Sequence, residues 1–455
     1  MRVLVACMEA GIESQVPTYA GGLGVLVGDK WRAARDMGME LKILTFSYPL
    51  GYVRHKIEGD NIICEPIAYE PEKRFKLWDE RRIDIGGENV EFKILEKEGV
   101  FFIHTDIAKR LYIEDNPLER LKKEVLIGKV ASELFFELDF DVMHIEESQV
   151  AFSAYEVKMR KKEARVVFTT HTPLPYGHET WGADVLSRFY NIGGVNMTKL
   201  ALKNSDYANC VSKMQCRVMK NFLEGRADYI TNGVHFSWIS PEFKIKNPED
   251  LIYARALSWE DIREVKAKER EKLVEEVNKN AIRNGEFDPQ NLVIGIARRF
   301  SAYKRIDLIF RELFRLESLA SNKPVQIVVA GVAHPMDKAG LDMIRKVIEA
   351  IKRAKYAKIA YFPWYDIDLA KRIIRGSDIW INVPKEEMEA CGTSWMKAMM
   401  NGCVLISTLA GGVPEFANSN NSLLIPKTFE EEQIHSLFSH LKKAIYSFYD
   451  SPKAF

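Results

Sequence analysis

Short β-branched runs separated by long amphipathic stretches recur along this chain. Val3-Leu-Val-Ala, Leu41-Lys-Ile-Leu, Val142-Met-His-Ile and Val166-Val-Phe-Thr-Thr lie in the first half. Val293-Ile-Gly-Ile-Ala, Val325-Gln-Ile-Val-Val-Ala, Ile359-Ala-Tyr-Phe and Asp378-Ile-Trp-Ile lie in the second. Near-continuous apolar runs this short predict strands buried on both faces, and strands alternating with helices build parallel sheets covered by helices. The alternation breaks once, between about Ser240 and Asn291, where Pro241 and Pro248 mark a loop and residues 259–284 predict a charged helix without a strand. The expected fold is therefore α/β, with two Rossmann-like doubly wound domains, residues 1–245 and 246–455, facing across a cleft. Ligands of such sheets bind beyond the carboxyl ends of the strands, so the active site is expected in that cleft. Alternating segments within residues 50–110, such as Gly51-Tyr-Val-Arg-His-Lys-Ile and Val90-Glu-Phe-Lys-Ile-Leu, predict β-hairpins inserted in the first domain. A final helix at about 429–448 is a candidate to cross back toward that domain.

Composition narrows the function. At 455 residues and 47% apolar, the chain can bury the cores of two or three domains. Lys and Arg total 65 against 64 Asp plus Glu, which removes bulk attraction to polyanions, so no nucleic-acid partner is expected. The six cysteines form no C-x-x-C pair and mostly sit in or beside apolar runs; this favours a reducing cytoplasm and argues against structural zinc. The first apolar strand is followed at once by Glu9 and Glu13, unlike a signal peptide. No apolar run approaches the ~20 residues of a membrane helix, so no membrane partner is expected.

The sharpest chemical signal is Glu389-Ala-Cys-Gly-Thr-Ser-Trp-Met-Lys-Ala-Met-Met-Asn, following a predicted strand. A strand, a short Gly/Thr/Ser loop and a helix present backbone N–H groups to an anion, and Thr393 and Ser394 add hydroxyl donors. Lys397, one turn into that helix between Met396 and Ala398, is placed for partial desolvation, which suits a reactive amine. Taken alone, a lone lysine is far more often solvated than reactive.

This segment resembles the cofactor-attachment signature of the α-glucan phosphorylases, E-A-[S/C]-G-x-[G/S]-x-M-K-x-x-[L/M]-N, at every specified position. The resemblance implies pyridoxal 5′-phosphate on Lys397, with Thr393 and Ser394 beside its phosphate and Glu389, Cys391 and Gly392 on the sugar side. Other segments continue it. Tyr19-Ala-Gly-Gly-Leu-Gly is similar to the family's glycine loop, which assigns Gly21 to substrate and Gly22 to cofactor. His171, in Phe168-Thr-Thr-His-Thr-Pro, matches the T-x-H-T histidine that bonds the sugar. Asn232, in Thr231-Asn-Gly, matches an asparagine on a sugar hydroxyl. Ala297-Arg-Arg-Phe-Ser-Ala-Tyr-Lys-Arg resembles the segment that supplies Arg299 and Lys304 to the substrate phosphate, Arg298 to the cofactor phosphate and Tyr303 to the sugar. Tyr365 matches a tyrosine packed on the cofactor. The resemblance, spanning residues 9–408, implies phosphorolysis of an α-glucan or maltooligosaccharide to glucose 1-phosphate with retention. No metal is implied, and a homo-oligomer is left open.

The pattern is also broken. Glu146 and Gln149 stand where the family has Asn and His, Val332 replaces a lysine, and Trp395 replaces a small residue. Leu409-Ala-Gly-Gly-Val-Pro-Glu resembles the G-G-V-P-E stretch of nucleotide-sugar glycosyltransferases instead. Two alternatives therefore stay open: a retaining ADP- or UDP-glucose glycosyltransferase, and a glucan-binding homologue without activity.

Overall fold

A computed structural model describes residues 1–59, 61–114 and 116–453. The chain forms two compact units, Met1–Tyr52 with Pro66–Asn232, and Val53–Glu65 with Gly233 onward. The division falls in the Thr231-Asn-Gly loop, thirteen residues before the predicted position, because Ile239, Phe243 and Ile245 pack with Val265 of the linker helix Trp259–Asn280.

The first unit is built on a nine-stranded sheet. Its order is Ala227–Tyr229, Tyr207–Cys210, Arg165–Thr170, Val142–Glu146, Arg2–Cys7, Glu40–Phe46, Val100–His104, Glu88–Lys97 and Lys76–Ile85. All neighbours are parallel except the last two pairings, which form an antiparallel extension from the region predicted as hairpins. Chain order reverses at Arg2–Cys7, between Val142–Glu146 and Glu40–Phe46. The glycine loop opens the helix Gly22–Asp36, which packs so closely that a Cβ on Gly28 would lie 2.0 Å from the Gly11 carbonyl oxygen.

The second unit holds a seven-stranded sheet, ordered Ile282–Arg283, Lys358–Phe362, Gln326–Ala330, Val293–Ala297, Ile379–Asn382, Val404–Thr408 and Ser422–Ile425. Only the two-residue edge strand is antiparallel. Order reverses between Val293–Ala297 and Ile379–Asn382, so the crevice expected of a doubly wound sheet opens where Arg298 leaves one strand and Val383 the other.

Two segments depart from expectation. The strands Val53–Glu58 and Asn61–Pro66 pair with each other, and this hairpin belongs to the second unit: His55 bonds the Tyr361 hydroxyl at 3.2 Å and the Ala333 carbonyl at 3.2 Å. The final helix, Glu430–Asp450, also stays with the second unit, burying Leu437, Phe438, Leu441 and Ile445 in that unit's own core. Four cysteines are buried and Cys64 and Cys216 half-buried. Among the described residues, no helix is long and apolar enough to cross a membrane, and no cluster of three or more acidic, His or Cys side chains is arranged to hold a metal.

Candidate active site

In the second unit, most of the residues singled out in the sequence gather at the carboxyl ends of the two central strands. Arg298 leaves Val293–Ala297 almost fully buried. Its Nη2 donates to Asn382 Oδ1 and, at 3.3 Å, to Ser394 Oγ. Its Nη1 is buried, makes no hydrogen bond among the described residues, and lies 3.9 Å from the Glu389 carboxylate. A buried guanidinium N–H without an acceptor is costly, and an anion bound here would relieve that cost.

Lys304 donates to that same Glu389 carboxylate and lies 4.7 Å from the Tyr303 ring centroid. Burial pulls the Lys304 ammonium down to about 8, with Glu389 opposing and Arg298 and Arg299 adding to the fall. Arg299 bonds the Tyr303 side chain, whose hydroxyl burial pushes up. Tyr365 donates to the Ala297 carbonyl at 3.3 Å, close enough for Arg298 to act on its hydroxyl.

The signature helix is only Ser394–Met399, with Thr393 as its cap. Six residues give little dipole, so anion affinity here rests on Arg298 and the Ser394 hydroxyl rather than on the helix end. Gly392 adopts φ +70°. Gly411, at φ +57°, presses on the Cys391 carbonyl, 2.4 Å from where its own Cβ would stand, so the Gly-Gly-Val-Pro-Glu loop braces the signature loop. Trp395 is buried beside Phe416, ring centroids 6.2 Å apart.

Lys397 is 4% exposed, and its Nζ stands 3.7 Å from the centre of the Trp238 ring. An ammonium over an indole face is attracted by the ring's negative face. Trp238 is itself pinned: Arg375 donates to the carbonyls of Ser237, Trp238 and Ile239 at 2.9, 3.2 and 3.0 Å. Asn401, the last residue of the signature, donates to the Trp238 and Lys397 carbonyls and accepts from the Ser240 N–H. Trp238 and Arg375 had no motif of their own in the sequence; the only signal was that Trp238 follows the Thr-Asn-Gly turn.

The remaining predicted residues lie in the first unit. The Ala20 and Gly21 N–H groups donate to Glu9 Oε2 at 2.7 and 3.2 Å, and the Tyr112 hydroxyl donates to Glu9 Oε1 at 3.1 Å. The Gly21 amide is thus already held by an internal carboxylate. Gly22 begins the helix, and a Cβ on either glycine would meet nothing within 4 Å. His171 Nε2 lies 2.6 Å from Glu146 Oε2, and its backbone N–H donates to Glu147 Oε2 at 2.9 Å. Asn232 is anchored by its N–H on the Val211 carbonyl at 3.1 Å.

Comparison with known proteins fits this picture. The catalytic domain of starch synthase IV from Arabidopsis thaliana, bound to ADP and acarbose, matches with TM-score 0.71 at 19% identity, over 99% of this chain and 92% of that one. The fold is therefore of the two-Rossmann-domain glycosyltransferase type. Residues 215–421 match the family model for carbohydrate phosphorylases. The chain is 31% identical to glycogen phosphorylase of Aquifex aeolicus over 91% of its own length and 74% of the relative's. It is 30% identical to maltodextrin phosphorylase of Thermococcus litoralis over 93% of its length, and spans 62% of that relative. The chain belongs to the carbohydrate phosphorylase family.

Proposed function

We propose that the chain is an α-1,4-glucan phosphorylase that carries pyridoxal phosphate on Lys397 and releases glucose 1-phosphate, with retention, from the non-reducing end of a glucan or maltooligosaccharide. The observation that carries this is the buried Arg298 Nη1 without an acceptor, on a guanidinium whose Nη2 donates to Ser394, which shares a short helix with buried Lys397. A phosphate-bearing aldehyde cofactor needs that combination of amine and anion donors.

When bound, the cofactor supplies a phosphate group next to the substrate phosphate. Lys397 anchors it, and Arg298 with Ser394 and Thr393 hold its phosphate. Arg299 and Lys304 take the substrate phosphate, and their positive charge lets two phosphates share a dry site. The glycosidic C1–O bond breaks as a proton from the substrate phosphate passes to the leaving oxygen. A phosphate oxygen then bonds C1 on the same face, with no paired carboxylates required. Glu389, Tyr303, His171 and Asn232 hold sugar hydroxyls in this scheme, and Gly21 and Gly22 line the anion side.

A second reading has one observation in its favour: the Gly411 loop, nucleotide-sugar-like in sequence, packs directly on the Cys391 carbonyl. In that reading, Arg299 and Lys304 hold the diphosphate of ADP- or UDP-glucose. Fold kinship cannot separate the two classes, but one experiment does. The protein is incubated with pyridoxal phosphate, reduced with borohydride and mapped by mass spectrometry, and glucose 1-phosphate formation from maltoheptaose and phosphate is measured alongside glucosyl transfer from ADP-glucose. Label on the Lys397 peptide with glucose 1-phosphate release supports phosphorolysis; no label with transfer from ADP-glucose overturns it.

A further inference from the structure

Two ionisable groups beside His171 in the first unit, Glu146 and Lys30, lie outside these roles. Glu146 ends the strand Val142–Glu146, beside the strand Arg2–Cys7 where chain order reverses, and is completely buried. Lys30, on the helix after the glycine loop, forms an ion pair with its Oε1, and His171 Nε2 stands 2.6 Å from its Oε2. Burial alone would push the Glu146 carboxyl up, but Lys30, His144 and His171 outweigh it and hold the group well below the usual carboxylate range. It is a buried anion at the expected ligand end of the sheet.

The proton positions follow from the donor and acceptor inventory. The Thr169 hydroxyl donates to Asn209 Oδ1 at 2.9 Å, so it accepts from His144 Nε2 at 2.8 Å. His144 is thereby satisfied away from Glu146, from which its Nε2 is 3.5 Å, and burial lowers its ring to about 4, keeping it neutral. An ionised carboxylate accepts only, so the short contact to His171 requires a hydrogen on Nε2. The His171 Nδ1 makes no hydrogen bond among the described residues. Lys30 matters here because it balances the charge of an otherwise lone buried carboxylate beside the ring. Other titratable groups facing the pair are Glu147, on the His171 backbone N–H, and the Cys7 thiol, which burial and Glu146 push up.

We propose that Glu146, charge-balanced by Lys30, is a positioning residue that keeps the His171 proton on Nε2 and so presents Nδ1 as an acceptor for a hydroxyl of a neutral sugar. This rests on the sugar-side role given to His171 above. An acceptor nitrogen takes a hydroxyl hydrogen but repels a phosphate or carboxylate, so the subsite selects a neutral sugar over one phosphorylated or oxidised at the hydroxyl it meets.

The test is nitrogen-15 NMR of histidine-labelled protein, with the His171 signals among the nine histidines assigned by difference from His171→Asn. The wild type is expected to show the Nε2–H tautomer at pH 7, with the Nδ1 resonance shifting when maltoheptaose is added. Glu146→Gln should give mixed tautomers and about tenfold or more weaker maltoheptaose binding. If Glu146→Gln does not fold, the paired Lys30→Met/Glu146→Gln chain removes both charges at similar volume and reads the same tautomer. An Nδ1–H or imidazolium wild type at pH 7, an unchanged tautomer in Glu146→Gln, or an Nδ1 signal indifferent to sugar overturns the proposal. None of these readouts uses phosphorolysis, so an inactive wild type with the expected spectra would count against the proposed reaction alone.

Discussion

The two units handle negative charge in opposite ways. In the first, carboxylates of the chain itself saturate the donors: Glu9 takes the Ala20 and Gly21 amides, Glu147 takes the His171 amide, and Glu146 takes Lys30 and the His171 ring. In the second, Arg298, Arg299, Lys304 and Lys397 gather on the segments after two strands, and among the described ion pairs Glu389 alone meets Lys304 and Arg298. Each of these first-unit donors has a carboxylate acceptor within the chain, whereas Arg298 Nη1 is buried without one. In the proposed reaction, that contrast corresponds to sugar contacts from His171 and Asn232 and phosphate contacts from Arg298, Arg299 and Lys304.

The largest break is at Lys397. Lys397→Ala is expected to abolish both borohydride-fixed label and glucose 1-phosphate release, measured on the same preparation. Full activity in that variant would remove the basis of the phosphate side. Arg298→Met comes next: losing a charge-assisted contact to the cofactor phosphate should weaken pyridoxal phosphate binding about tenfold to a hundredfold, read by titrating the borohydride-fixed label. An unchanged affinity for pyridoxal phosphate would mean that Nη1 serves no ligand.

Lys304 sharpens the contrast through pH. Its ammonium titrates at about 8, below its ordinary 10.5. Affinity for phosphate should therefore fall as pH rises through 8, approaching about tenfold per unit in the free enzyme before levelling. Lys304→Met should flatten that limb in a KM-against-pH series. Stability runs the other way: between 8 and 10.5 the unfolded chain holds a proton that the folded one lacks, so unfolding free energy gains from this group as pH rises across that window and carries its full burial cost below it.

Much of the fold was legible because the parallel strands are continuous apolar runs, which only a sheet covered on both sides can bury. Strands such as Tyr207–Cys210 and Ala227–Tyr229 were not, being short and carrying polar residues. The hairpin at Val53–Pro66 alternates visibly, but alternation says only that one face is buried and not against which core; His55 meeting Tyr361 is a tertiary fact. The residues proposed for the phosphate side could be singled out because they cluster in two contiguous motifs. The pair Lys30 and Glu146 could not, since the residues are separated by 116 positions and each, seen alone, is an ordinary charged side chain.

The mildest break tests the other half of the contrast. Glu9→Gln keeps an acceptor for the Ala20 and Gly21 amides and removes the charge, while the Tyr112 hydroxyl can turn to accept from the new amide group. If the carboxylate acts there as a built-in anion at the start of the Gly22–Asp36 helix, replacing it by a neutral acceptor should cost about 1 kcal/mol in urea unfolding. Part of that loss should return when phosphate replaces chloride in the buffer, since the loop amides then have an anion to take. A variant as stable as the wild type, with no response to phosphate, would show that the glycine loop wants an acceptor but not a charge, and the contrast between the units would rest on Glu146 and Glu147.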